Sequence, residues 1–148
     1  MTNIPTTPGT YILWLYLNRK RRITIGKLGT QLFQPGYYAY CGSAFGPGGL
    51  KARLGHHMKK ADRPHWHIDY LKNITTCREI WFSTEPENLE HLWSDSLAKL
   101  PNANMPVNGF GSSDCTCQTH LIYLPQRYHS NHLKNSFPKI EINRLKLS

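Results

Sequence analysis

Residues 36–57 read GYYAYCGSAFGPGGLKARLGHH, and this stretch admits few folds. The run Tyr37-Tyr38-Ala39-Tyr40 is aromatic and short, with Tyr38 and Tyr40 on one face if extended, so it predicts a strand. Gly42-Ser43 breaks it, Gly46-Pro47-Gly48-Gly49 turns the chain, and helical spacing begins at Leu50. Leu50, Leu54 and Met58 recur at every fourth residue and define a buried stripe. Arg53 and His57 are also four apart, so they stand one turn above the other on the adjoining flank. A strand bearing tyrosines is thus followed by a helix carrying an arginine over a histidine. Those side chains together suit phosphate chemistry.

The rest of the chain supplies a sheet around this unit. Residues 9–17, GTYILWLYL, are rich in β-formers and apolar throughout, which predicts a buried central strand. The cationic run NRKRR at 18–22 predicts a solvated turn, residues 23–28 a returning strand and 32–35 a loop. Residues 1–8 read as a disordered lead. A helix over 50–60 precedes a second at 65–71, with Asp62 as its cap ahead of Pro64. Residues 77–83 read as a strand, and Glu85-Pro86-Glu87-Asn88 opens a helix whose buried side carries Leu89, Leu92, Trp93, Leu97 and Leu100. Residues 102–114 are loop, and 120–124 form a last short strand. This order predicts an α+β fold, a small mixed or antiparallel β-sheet flanked by helices, with its first strands as hairpin neighbours. The domain spans 9–124. A basic C-terminal tail over 125–148 follows, loosely attached unless Ile140, Ile142, Leu145 and Leu147 dock a last strand or turn.

Composition narrows the partners. The formal charge is +9, from 18 Lys+Arg against 9 Asp+Glu, which favours a polyanion such as nucleic acid. No apolar run approaches the ~20 residues of a membrane span, so no membrane partner is expected. The leading residues MTNIPTTPG lack the charged and apolar parts of a secretory signal, and the expectation is a cytoplasmic protein. Cys115 and Cys117 are too close to pair with each other, so Cys41, Cys77, Cys115 and Cys117 do not read as a disulfide framework.

Gly9-Thr10-Tyr11 followed by Tyr40-Cys41-Gly42 resembles the paired signatures of the GIY-YIG nuclease superfamily. Arg53 with His57 resembles the arginine–histidine pair on that family's first helix, and Glu90 matches its metal-binding glutamate. The closer similarity is to the Uri-type stand-alone branch, through Gly42-Ser43-Ala44, His65-Trp66-His67-Ile68-Asp69-Tyr70 and Gly109-Phe110-Gly111-Ser112-Ser113-Asp114-Cys115. Thr10 and Cys41 replace the signature isoleucines. Both are expected to pack in the core and leave the chemistry unchanged.

The resemblance implies a metal-dependent endonuclease that hydrolyses DNA phosphodiesters, with RNA left open as a partner. Arg53 would clamp phosphate oxygens with a planar fork that stays charged. Tyr11 and Tyr40 are candidates to position or deprotonate the attacking water, and the sequence leaves open which is the base. Tyr37 and Tyr38 read as packing. His57 would assist proton transfer or bind the phosphate. Glu90 would hold Mg²⁺ or Mn²⁺, with water and substrate as the other ligands. Glu87 and Asp95 are its rivals. Asn104, Asn108, Ser113 and Asp114 are alternatives for an asparagine that many relatives use.

Two further groups have metal-ligand residue types. Within 65–69 only His65 and Asp69 share a helical face, and packing with hydrogen bonding is the preferred reading there, with His65 or His67 near the cleft. Cys115, Cys117 and His120 offer zinc ligands, set against a reading as buried thiols. Two rival functions remain: a nuclease scaffold that binds nucleic acid without cutting, and an accessory repair nuclease acting with a DNA glycosylase.

Overall fold

Residues Gly9–Leu17 form the first strand, β1, and apart from half-buried Tyr16 neither of its faces meets water. Tyr11, Leu13, Leu15 and Leu17 are buried on one side of it. Ile12 and Trp14 are buried on the other. The alternation of a strand thus places large apolar groups on both surfaces, and only a central position satisfies both. The computed structural model describes residues 4–64, 66–110, 119–125 and 142–147.

The described strands after β1 are β2 (Arg21–Thr24), β3 (Thr30–Phe33), β4 (Gly36–Ala44), β5 (Thr76–Ser83), β6 (Leu121–Leu124) and β7 (Asn143–Lys146). The helices are α1 (Gly49–His57), α2 (His67–Lys72) and α3 (Glu90–Ala98). Five strands make one sheet in the order β6-β4-β1-β5-β7. Every ladder in it is antiparallel. Leu50 and Leu54 of α1 and Ile68 and Leu71 of α2 cover the face that carries Tyr11 and Leu13. Trp93 and Leu97 of α3 cover the opposite face with Ile12, Trp14 and Trp81. The expected α+β class, a sheet flanked by helices, is the class observed. Each buried large apolar side chain stabilises by roughly 1.5–3 kcal/mol, so the two clusters carry most of the fold.

Several local expectations give way. β1 does not pair with the next strand in sequence. Its neighbours are β4 and β5, while β2 pairs with β3 in a separate two-stranded sheet. The stretch expected to be loop at 32–35 therefore begins as strand. Asp62 does not cap α2. The cap position is Trp66, whose N–H donates at 2.9 Å to Oδ2 of Asp69 in the first turn of the helix. Leu92 is 49 % exposed, because Leu89, Trp93 and Leu97 already fill the stripe that meets the sheet.

Both ends of the described chain are built into the fold. The N–H groups of Leu50 and Lys51, unpaired within the first turn of α1, donate to the carbonyls of Thr7 and Pro5 at 2.9 Å each. Residues 4–8, expected to be a disordered lead, thus cap α1. Gly49 permits this approach: its φ is +58°, and a Cβ there would overlap the Thr6 and Thr7 carbonyls. At the other end, Ile142 is buried and β7 pairs with β5. Arg144 donates from Nε and one terminal nitrogen to Oε2 of buried Glu79, at 3.1 and 2.9 Å. The end of the basic segment is therefore an edge strand and not a loose tail. Among the described residues, no helix is long and apolar enough to cross a membrane.

Candidate functional site

Tyr11 sits opposite Gly42, and Tyr40 opposite Leu13, in the β1–β4 ladder. The two tyrosines are diagonal neighbours on the face covered by α1. Gly42 lets Tyr11 lie flat across β4, since a Cβ at that position would run into the phenol ring. The second glycine signature is thus a space requirement set by the tyrosine of the first.

Helix α1 brings its polar flank over these rings. The Tyr11 hydroxyl lies 2.7 Å from Nε2 of His57. The Tyr40 ring meets His57 edge-on, with centroids 6.2 Å apart. His57 is only 7 % exposed. Its Nδ1 is buried without a partner among the described residues. Burial, reinforced by the nearby basic side chains of Lys72, His56 and Arg53, pushes the His57 pKa down to about 3. The imidazole is therefore neutral at ordinary pH. Burial raises both tyrosines well above the ordinary phenol range, and Arg53 only partly offsets this.

Arg53 is half-buried and donates to the Ser43 carbonyl at 3.2 Å. Its guanidinium stacks on the Trp66 indole, 4.6 Å from the ring centroid. Backbone and ring hold the fork from two sides, and a hydrogen bond to the Tyr11 hydroxyl aims it at the tyrosine pair.

Glu90 reaches the same region from the other face of the sheet. The Leu89 N–H donates to Oγ1 of Thr10 at 3.0 Å, which pins the start of α3 beside Tyr11. Oε1 of Glu90 is 2.8 Å from Nδ1 of His120. Burial pushes the Glu90 pKa up, but hydrogen bonds from His120, Ser43 and Asn88 outweigh it and hold the carboxyl below its usual range. Thr10 and Ser43 are themselves partners in the ladder. Thr10, expected only to pack, is thus the hydroxyl that positions α3. Cys41 also faces α3, in the core as expected, with its thiol pushed up to about 12 by burial.

The structure therefore brings together Tyr11, Tyr40, Arg53, His57 and Glu90. It leaves Glu87 and Asp95 exposed on the surface. Tyr38 is fully buried and donates its hydroxyl to the Gln34 carbonyl at 2.5 Å, while Tyr37 packs half-buried. Asn104 forms a backbone bridge with Tyr123, and Asn108 is exposed. Ser113, Asp114, Cys115, Cys117 and His65 lie outside the described residues, and the zinc reading of the two cysteines goes with them. His120 is buried beside Glu90. The sequence offered no sign of that pairing, because the two residues are thirty positions apart on different elements.

Residues 10–142 match the family described as Domain of unknown function DUF123. The chain belongs to the DUF123 family. No curated protein and no solved structure matches it. The matched span of the DUF123 domain holds all five gathered side chains.

Among the described residues, two sets of donors have the chemistry of cation ligands. Nitrogen or oxygen atoms of His56, His57 and Asp69 lie within 4.8 Å of one another. That set does not fit a metal, because the Lys72 ammonium is 3.3 Å from Asp69 Oδ1 and the Tyr11 hydroxyl is on His57 Nε2. Glu90 does fit. Its carboxyl is held below the usual range and so stays ionised, its oxygens are hard donors, and one carboxylate with water suits Mg²⁺ or Mn²⁺.

Proposed function

We propose that this DUF123 chain is a metal-dependent endonuclease of the GIY-YIG type, acting on DNA phosphodiesters. The observation that carries the reading is the meeting of Tyr11 and His57 at 2.7 Å beside Arg53. A phenol bonded to a neutral imidazole, next to a held guanidinium, has the parts for moving a proton beside a phosphate. The +9 charge supports a polyanionic substrate.

In this reading Arg53 takes two phosphate oxygens and stabilises the charge that develops on them. The raised pKa of Tyr11 argues against a free phenolate as the base. Tyr11 instead accepts a proton from water while passing its own to Nε2 of His57. Burial is the main cause of the low His57 pKa, so phosphate bound at Arg53 would offset only a lesser part of what disfavours the imidazolium. Tyr40 closes the wall of the site and orients the water. Glu90 would hold a divalent cation, which supplies Lewis-acid stabilisation of phosphate charge when bound.

The test is a cleavage panel with Mg²⁺ and with Mn²⁺ on single-stranded, duplex, flap, junction and abasic DNA, and on RNA. Cleavage lost with chelator and with Arg53→Ala supports the reading. Tight, salt-sensitive binding with no cut product under any condition would show a binding module instead. Cleavage confined to abasic or flapped duplex would point to an accessory repair nuclease.

A further inference from the structure

His56 takes no part in the proton relay just described. It follows Arg53 by three residues, so the two project from the same flank of α1. Its Nε2 is 3.1 Å from Oδ1 of Asp69, and its side chain is 45 % exposed where that of Asp69 is 1 %. Asp69 is itself fixed. Its Oδ2 accepts from the Trp66 N–H, and Lys72 Nζ lies 3.3 Å from its Oδ1. Lys72 also donates to the His56 carbonyl at 2.9 Å, which ties α2 to the end of α1. Trp66 packs edge-on against the His56 ring at 4.7 Å while Arg53 stacks on the same indole. A cavity of about 140 Å³ opens between Arg53, His56, Trp66 and the small residues of the β4–α1 loop.

This is the geometry of an imidazole held by a buried carboxylate and presented to a cleft. The carboxylate accepts the Nε2–H in either protonation state, so Nδ1 is the nitrogen left for another partner. Lys72 already balances the charge of Asp69. The pair is therefore not a surplus anion awaiting a metal.

We propose that His56 is the proton donor to the leaving oxygen of the phosphodiester, with Asp69 as its positioning residue. The proposal rests on the nuclease reading and adds the second half of its proton balance. As the bond from phosphorus to the leaving oxygen breaks, that oxygen keeps the electron pair and takes the proton from Nδ1. His56 is left neutral and regains a proton from solvent, to which it is open. The adjacent histidines divide the work. Buried His57 serves the attacking side, and exposed His56 serves the leaving side.

Sulfur in place of the leaving oxygen tests this directly, because a thiolate departs without a proton. A substrate from the cleavage panel is resynthesised with one bridging sulfur at the mapped scissile linkage. His56→Gln should lose a hundredfold or more on the oxygen linkage, on the scale of general acid catalysis. On the sulfur linkage it should stay within about tenfold of wild type. Asp69→Asn should lose less on oxygen and recover in the same way, whereas Arg53→Ala should fail on both. His56→Ala, at this exposed position, guards against an effect peculiar to glutamine. An equal loss on the two linkages, or no loss on oxygen, would overturn the assignment of His56 alone. A wild-type protein that cuts neither linkage would overturn the nuclease reading and this assignment with it.

Discussion

Tyr11 and His57 are 46 positions apart in the chain, and their polar ends meet at 2.7 Å inside the protein. The contact joins β1 to the last turn of α1 across the face of the sheet. It depends on Gly42, whose missing side chain is the space that the Tyr11 ring fills. It also depends on the carbonyls of Pro5 and Thr7, which fix where α1 begins. The candidate site is therefore assembled by packing that reaches well beyond the residues that would do chemistry.

The tyrosines should separate by role. Tyr11→Phe removes the hydroxyl bonded to His57 and keeps the ring, so cleavage should fall at least tenfold, a low figure for a proton-transfer group. Tyr40→Phe should fall similarly. Tyr38→Phe loses a hydrogen bond to the Gln34 carbonyl. It should cost about 1 kcal/mol of stability with activity kept. Tyr37→Phe should match wild type. Single-turnover rates beside urea denaturation of each variant check this, and four equally active variants would remove tyrosine from the reaction.

Glu90→Gln should abolish Mg²⁺-dependent cleavage by more than about a hundredfold. DNA binding should survive it, because the change removes an anion from a site for a polyanion. Arg53→Ala should lose cleavage to the same degree and weaken binding as well. Glu87→Ala and Asp95→Ala change exposed side chains and should cut normally. Rates and binding isotherms on one substrate decide it, and a dead Glu87→Ala would move the metal site.

His57 makes a specific demand on the pH dependence of stability. Its folded pKa is lowered to about 3, and an unfolded histidine titrates near ~6.5. Between those values the unfolded chain binds a proton that the folded chain refuses. Stability is therefore full above ~6.5 and falls as pH drops through that window. His57→Gln removes this group, so its stability should change less between about pH 7 and pH 5, a range above carboxylate titration. Urea midpoints across that range give the slopes, and identical slopes for both proteins would contradict a buried neutral His57.

Arg144 belongs to the stability of the domain more than to its binding of DNA. It supplies two hydrogen bonds to Glu79, whose side chain is fully buried. Arg144→Ala should destabilise by roughly 1–3 kcal/mol, below the full cost of breaking a buried pair because the arginine is partly exposed. Deleting residues 142–148 removes β7 and should destabilise further. Both effects are measured by thermal and urea unfolding. A deletion that melts with wild type would make the segment a mere appendage.

Local pattern alone was enough to place the central strand at residues 9–17, the strand–loop–helix unit of 36–57 and the polar flank of Arg53 and His57. These features repeat at the short periods of strand and helix, so neighbouring residues carry the signal. Which strands pair was not legible. β1 bypasses β2 for β4 and β5 because nine-residue β4 and eight-residue β5 can pair the backbone along both of its edges where four-residue β2 cannot, and that choice is made by the whole chain folding at once. The same holds for Thr10 beneath the start of α3, His120 at Glu90, and Arg144 on Glu79. Each is a single contact between distant segments with no period to announce it. His56 stood in plain view three residues after Arg53, yet only the fold brings Asp69 beneath it. Local sequence sets which face of an element a side chain occupies, and tertiary packing alone sets what that face meets.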